Sequence, residues 1–479
     1  MVGRNAEIKK LNELYRSHKA ELVAVYGRRR IGKTYLINET FKGKMAFHHA
    51  GLSPVESKTQ KGNSPLKKQL AHFYNSLVLQ GMEKSKRPDN WLDAFLMLEM
   101  FLQSKDDGQR QVVFLDEIPW MDTPKSGFIT AFEGFWNTWG CNRNNLMVIV
   151  CGSATSWIAD NLINNYGGLY NRVTCEIKLS PFVLGECEEF FKENKVKMSR
   201  YDITQAYMIT GGVPYYLNYY QRGMSLAQSV DLMFFSPTAP LKNEYERLFS
   251  SIFTNSDTMK SIIGCLSKKN SGFTRAEISQ MTDISLGGTL SDALKALEIS
   301  DFIVKYVPFG MSKREEYYRL VDPFCIFYNK FVKSSESLDQ SFWKQNVVSH
   351  QVVSWRGIAF ENVCLNHIPQ IKEALGISGV STNQSMWSKK KDDTEGMQID
   401  LIIVRKDNVI NMCEMKFYSS DFTTNRDYYQ VIVNRKRMIE EMAPKHMTVH
   451  STLVTTYGLK YNEYSGAFDN YITINDLFK

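Results

Sequence analysis

The chain has 479 residues, and at ~150 residues per domain that length anticipates about three domains rather than one. Hydrophobic residues make up 43% of it and charged ones 23%, a balance that excludes an extended disordered chain or a fibrous repeat. Fifty-eight Lys and Arg against 51 Asp and Glu leave a formal charge of +7, which permits a nucleic-acid partner without requiring one.

The longest apolar run extends only from Leu146 to Cys151, whereas a membrane span needs ~20 residues, so no membrane is expected as a partner. The stretch Met1–Glu7 has no apolar segment of the kind a secretory signal carries. Cys141, Cys151, Cys175, Cys187, Cys265, Cys325, Cys364 and Cys413 stand singly, which argues against a zinc ribbon or a disulfide framework and for a reducing, cytoplasmic setting. The close histidine sets, His48-His49 and His446 with His450, lack neighbouring thiols or a glutamate between them and read as packing.

In chain order, Leu22–Tyr26 is a short β-branched apolar run, read as a buried strand. It leads into Gly27-Arg28-Arg29-Arg30-Ile31-Gly32-Lys33-Thr34 and a helix that begins Tyr35-Leu36-Ile37. This is G-x-x-x-x-G-K-T between a strand and a helix, the setting in which backbone N–H groups close around phosphates. Residues Gly27 to Tyr35 are therefore expected to hold a nucleotide, with Lys33 on the β- and γ-phosphates and the Thr34 hydroxyl on Mg²⁺; the side chains of Arg28, Arg29 and Arg30 receive no role.

Lys44–Ala50 reads as another strand, and Trp91–Leu102 as a helix covering the sheet. Gln111–Leu115 holds four successive apolar residues from Val112 and ends in Asp116-Glu117, two carboxylates at the strand edge where ligands of α/β sheets collect. Asp116 is expected to hold the metal and Glu117 to orient and deprotonate the attacking water. Leu146–Cys151 is a further strand, ending at Gly152-Ser153, where the Ser153 hydroxyl is placed to sense the γ-phosphate.

Together with the opening Gly3-Arg4, the segments GRRRIGKT, VVFLDE and VIVCGSA resemble the archaeal-type ATPase family, in the STAND-like branch of P-loop ATPases related to AAA+ proteins. The resemblance implies that Arg172, in the run Tyr166–Thr174, contacts the γ-phosphate, although Asn171 stands where relatives carry glycine. It also places Gly211-Gly212-Val213-Pro214 in a small helical lid. Oligomeric assembly is compatible with such a family, and Arg172 could then act within its own subunit or a neighbour's.

After the proline-punctuated segment Ser236–Pro240, three helical stretches (Met259–Leu266, one capped by Thr274, and Gly287–Leu297) precede two strands, Phe302–Val307 and Glu316–Leu320. Three helices and a hairpin make a winged-helix pattern. Its third helix carries Ser291, Asp292, Lys295 and Glu298, with no net positive charge, which favours an adaptor over a DNA reader.

The last third holds a helix, Trp355–Leu365, with one acid, Glu361, and then two strands, Gln398–Val404 and Val409–Phe417. With Lys406-Asp407-Asn408 centring the turn, facing residues have numbers that add to 814, so Asp400 faces Glu414 and Lys416 projects from the same side. Two carboxylates and an ammonium in an apolar hairpin are costly unless they meet a metal or each other. The pattern resembles the PD-(D/E)XK nuclease core that accompanies archaeal-type ATPases, with Ile399 where a proline is usual. That resemblance implies Mg²⁺ held by Glu361, Asp400 and Glu414, with Lys416 positioning water, and DNA or another nucleic acid as partner. Basic residues at Ser388–Lys391 and Asn434–Arg437 are candidates for meeting phosphates.

The expected fold is thus α/β in three parts. Residues 1–235 form a P-loop parallel-sheet ATPase domain with a helical lid, 236–335 a winged-helix adaptor, and 336–479 a restriction-endonuclease-like α/β domain. The expected function is an ATP-binding, Mg²⁺-dependent ATPase whose nucleotide state controls the nuclease-like domain; the alternative is a non-cleaving STAND-like switch that signals or regulates by binding.

Overall fold

The computed structural model describes residues 1–53, 64–164, 167–312, 315–333, 340–389 and 397–479. Lys390 and Lys391 of the basic run, and Tyr166, lie outside the described residues. The chain divides into two compact units. One comprises Met1, Gly3–Ser180 and Leu248–Ser256; the other comprises Val2, Pro181–Arg247 and Asp257–Lys479. Among the described residues no helix is long and apolar enough to cross a membrane.

The first unit is built on five strands: β1 (Glu21–Tyr26), β2 (Met45–Ala50), β3 (Gln111–Asp116), β4 (Leu146–Gly152) and β5 (Cys175–Lys178). All pair in parallel, in the order β2-β3-β4-β1-β5. Side chains alternate faces along a strand, and here both faces are buried, which explains why β1, β3 and β4 read as continuous apolar runs. Leu22, Ala24, Val113, Leu115, Leu146, Val148 and Val150 face one layer, which contains residues of α3 (Pro65–Leu79) and α4 (Trp91–Ser104) such as Phe73, Trp91 and Phe95. Val23, Val25, Val112, Phe114, Met147, Ile149 and Cys151 face the other, with Leu11 and Leu14 of α1 (Asn5–Arg16) and Leu36 and Ile37 of α2 (Lys33–Thr40). The sheet order puts β1, and so the loop after it, between β4 and β5, with β3 one strand further.

The second unit opens with α5 (Leu184–Glu193) and α6 (Arg200–Thr210). Gly211 and Gly212 follow, both with positive φ (67° and 66°). A Cβ on Gly212 would come within 2.1 Å of the Phe182 carbonyl oxygen, so this turn tolerates only glycine. Helices α7 (Ser256–Leu266), α8 (Arg275–Thr282) and α9 (Gly288–Ile299) come next, with α7 starting at a residue that belongs to the first unit. They lie along the chain with a three-stranded sheet in the order β6-β8-β7, from β6 (Phe273–Thr274), β7 (Ile303–Tyr306) and β8 (Tyr317–Leu320). Thr274 caps α8: its side chain accepts from the Glu277 N–H while the Glu277 carboxylate accepts from the Thr274 N–H.

The rest of the second unit holds α10 (His350–Asn366), strands β9 (Thr382–Lys389), β10 (Met397–Arg405) and β11 (Val409–Lys416), α11 (Arg426–Met442), and strands β12 (Thr448–Thr455) and β13 (Asn470–Thr473). The sheet runs β13-β12-β11-β10-β9, antiparallel from β9 to β11 and parallel from β11 to β13. Leu401 pairs with Cys413 and Val404 with Ile410, which is the expected register. On the other edge of β10 the pairing shifts between Ile399 and Ile402, a bulge that falls on Asp400 and Leu401. Ile410 and Met412 share a face with Glu414, and that layer includes Ile432 and Ile439 of α11.

Candidate functional site

In the first unit, Gly27 has φ 143° and Gly32 φ 90°, and Arg30 between them has φ 74°. A Cβ on Gly27 would lie 2.2 Å from the Leu179 carbonyl oxygen at the exit of β5, so the loop closes against the sheet only with glycine there. Lys33 is buried, and its Nζ donates to the carbonyls of Gly27 and Arg28, each at 2.9 Å. The lysine thus lies folded across the loop. The Thr34 hydroxyl donates to Asp116 Oδ2 at 2.7 Å, joining the loop to the end of β3.

Glu117 stands in a left-handed conformation (φ 46°, ψ 47°) just after β3. Its carboxylate accepts the Ser153 N–H at 3.0 Å and the Ser153 hydroxyl at 2.9 Å from each oxygen. Ser153, fully buried at the end of β4, therefore holds Glu117 in this conformation. Arg29 lies 5.8 Å from the Trp120 ring centre, Arg28 is buried, and Tyr35 is 57% exposed on α2. Five of the expected residues (Gly27, Lys33, Thr34, Asp116 and Glu117) and Ser153 are thus gathered at the edge formed by β1, β3 and β4.

Arg172 is exposed, and among the described residues no hydrogen bond or ion pair joins its guanidinium to that set. Asn171 before it has φ 55°, a conformation in which asparagine is the usual substitute for glycine. The family resemblance sets Arg4, in the opening Gly3-Arg4, near the adenine and gives it no partner within the protein. In the structure it is buried, donating to the carbonyls of Ser180 at 2.6 Å and Ile31 at 3.3 Å, so it ties the chain's start to the loop and to the exit of β5.

The second unit brings Glu361 (α10), Asp400 (β10), Glu414 and Lys416 (β11) into one electrostatic neighbourhood. Burial, then the nearby Glu361 and Glu414, push the Asp400 carboxyl well above the usual range. Burial also raises Glu361, outweighing Arg319. Glu414 is buried too, yet Lys416 and Arg435 outweigh that burial and hold its carboxyl below the ordinary value.

Each acid has partners from the chain itself. Glu414 accepts from Lys416 Nζ at 2.8 Å, from Arg435 Nη1 at 2.5 Å and from the Tyr428 hydroxyl. Asp400 Oδ2 accepts the Met415 N–H at 3.3 Å. Glu361 accepts from Asn270 Nδ2 and pairs with Arg319 at 3.4 Å. Arg319 is 1% exposed and also donates to Asn270 Oδ1 at 2.9 Å, to Asn362 Oδ1 at 3.0 Å and to the Met386 sulfur at 2.8 Å. Sequence reasoning missed Arg319, Asn270 and Tyr428. It noted Arg435 only as a residue facing nucleic acid; the spacing of Tyr428, Ile432, Arg435 and Ile439 along α11 was the signal that Arg435 turns toward the sheet.

Residues 1–220 match the family model described as an ATPase domain predominantly from Archaea. An uncharacterized protein of Methanocaldococcus jannaschii is 23% identical over 407 residues, covering 84% of this chain and 83% of that one. Among solved structures, the Walker-type ATPase of Pyrococcus abyssi is similar with a TM-score of 0.47 and 17% identity, covering 69% of this chain and 96% of that chain. The ORC2 protein of Aeropyrum pernix in its ADPNP–ADP complexes gives 0.40 and 14%, covering 69% and 93%.

Proposed function

We propose that the protein is a Mg²⁺-dependent ATPase whose nucleotide state controls a nuclease-like, nucleic-acid-interacting C-terminal domain. The observation that carries the ATPase part is the 2.7 Å contact between Thr34 and Asp116 beside Lys33. Two hard oxygen donors meet next to a phosphate-binding lysine, a donor set that suits magnesium. Thr34 and Asp116 would hold the ion, which when bound neutralises charge on the β- and γ-phosphate oxygens. Lys33 exchanges its loop carbonyls for phosphate oxygens. Glu117, released from Ser153, accepts the proton of the attacking water.

Two experiments test this reading. Lys33→Ala is expected to abolish ATP binding measured by calorimetry, and undiminished binding would refute the cradle. Glu117→Gln is expected to keep binding while lowering kcat by ~10²-fold or more.

The C-terminal residues fit a metal less well. Glu414 and Glu361 are each paired with a cation of the chain, and among the described residues no three acid, histidine or cysteine side chains form a group able to hold a metal ion. This favours the second reading, a non-cleaving ATP switch whose last domain binds. A plasmid left intact with Mg²⁺ or Mn²⁺, with and without ATP, supports the switch. Cleavage lost in Asp400→Ala with ATPase activity intact supports the nuclease.

A further inference from the structure

We infer that Glu361 and Glu414 of the acid cluster around Asp400 are neutralised by the protein's own cations, with Arg435 and Arg319 standing where a nuclease of this pattern would place divalent metal. The inference rests on the nuclease-like reading of the C-terminal residues and says which counter-ion they use.

The geometry is specific. Two of the three carboxyls carry ion pairs: Glu361 with Arg319, and Glu414 with both Lys416 and Arg435. Glu414 is 4% exposed, and both of its oxygens are taken, one by Lys416 and Tyr428 and the other by Arg435. A guanidinium cannot lose its proton, so its charge stays in place across the working pH range. Magnesium demands near-ideal octahedral oxygen coordination and would have to enter against three fixed positive charges.

Two of the cations are not free to leave. Arg319 is held by Glu361, Asn270, Asn362 and Met386 in a site with 1% exposure. Arg435 is 16% exposed and projects from α11, whose Ile432 and Ile439 are fully buried beneath it. Moving Arg319 out would leave Glu361 without a cation, and moving Arg435 out would leave one Glu414 oxygen unpaired, each at a cost greater than the pair contributes. The bulge at Asp400 and the facing register gather the acids; Arg319 pairs with Glu361, Lys416 and Arg435 pair with Glu414, and Asp400 accepts the Met415 N–H.

The test uses the full chain without nucleotide, so that no phosphate recruits metal to the loop. Mn²⁺ is titrated by calorimetry, and thermal unfolding is followed with and without Mn²⁺. The wild type is expected to show no Mn²⁺ binding that Asp400→Asn removes, and no Mn²⁺-dependent shift in Tm. Arg435→Gln is expected to unfold at lower temperature and to regain stability with Mn²⁺, binding it roughly tenfold or more tightly than the wild type, because removing one cation opens Glu414. Wild-type binding that Asp400→Asn abolishes and Asp116→Asn does not would overturn the inference. So would an Arg435→Gln protein that folds but ignores Mn²⁺. The wild-type titration needs no variant, so it decides the question even where Arg435→Gln does not fold. ATP binding is measured separately with Lys33→Ala, so failure here leaves the nucleotide reading standing.

Discussion

At His367 the ring nitrogens have distinct tasks. Nδ1 lies 2.7 Å from the Val363 carbonyl oxygen and donates to it, while Nε2 accepts the Leu184 N–H at 2.9 Å. Protonating Nε2 would put two donors face to face, and burial already holds this imidazole down at about 4. The unfolded chain takes up that proton near the ordinary value of 6.5 and the folded one does not, so stability is lost as pH falls from about 6.5 toward 4. Through His367 the unfolding free energy from urea titrations should fall by about 1.4 kcal/mol for each pH unit below 6.5 down to about 4, and His367→Gln should remove that share of the slope. Ser153 allows an equally sharp test. If it acts by holding Glu117, Ser153→Ala changes kcat and leaves nucleotide Kd within about twofold. A loss of affinity like that of Lys33→Ala would instead make Ser153 a direct reader of phosphate.

Elements with strong periodicity were legible in the sequence, and short or polar ones were not. The continuous apolar runs of β1, β3 and β4 made the parallel sheet legible, the turn at Lys406–Asn408 made the β10–β11 register legible, and Asn408 carries the positive φ (65°) that such a turn needs. Cys175–Lys178 escaped notice because only Ile177 of β5 is buried; Thr382–Lys389 escaped because β9 reads as polar. The hydrogen bonds of Arg319 to Glu361 and Asn270 join residues 42 and 49 positions apart, and no local pattern encodes that. The cap on α8 was legible and gives a prediction at this scale. Thr274→Ala, which removes an acceptor for the Glu277 N–H, should cost ~1 kcal/mol in thermal unfolding.

Across the molecule, the two units offer separate readouts. ATP with Mg²⁺ at about a hundred times Kd should stabilise the first unit by ~2.7 kcal/mol, and Lys33→Ala should remove that gain. If nucleotide state controls the C-terminal domain, ATP also alters hydrogen exchange in β10 and β11, which hold no nucleotide-loop residue. Unchanged exchange there would separate the ATPase from the control it is proposed to exert.

The buried guanidinium of β8 has a consequence for how the polypeptide can be divided. Its partners Glu361, Asn362 and Met386 come later in the sequence, so a shortened chain ending near residue 333 would leave Arg319 with Asn270 alone and without its acid. The three-stranded sheet is therefore expected to mature only after α10 and β9 have been synthesised, so that a ribosome-bound fragment stays protease-sensitive across residues 303–320 until then.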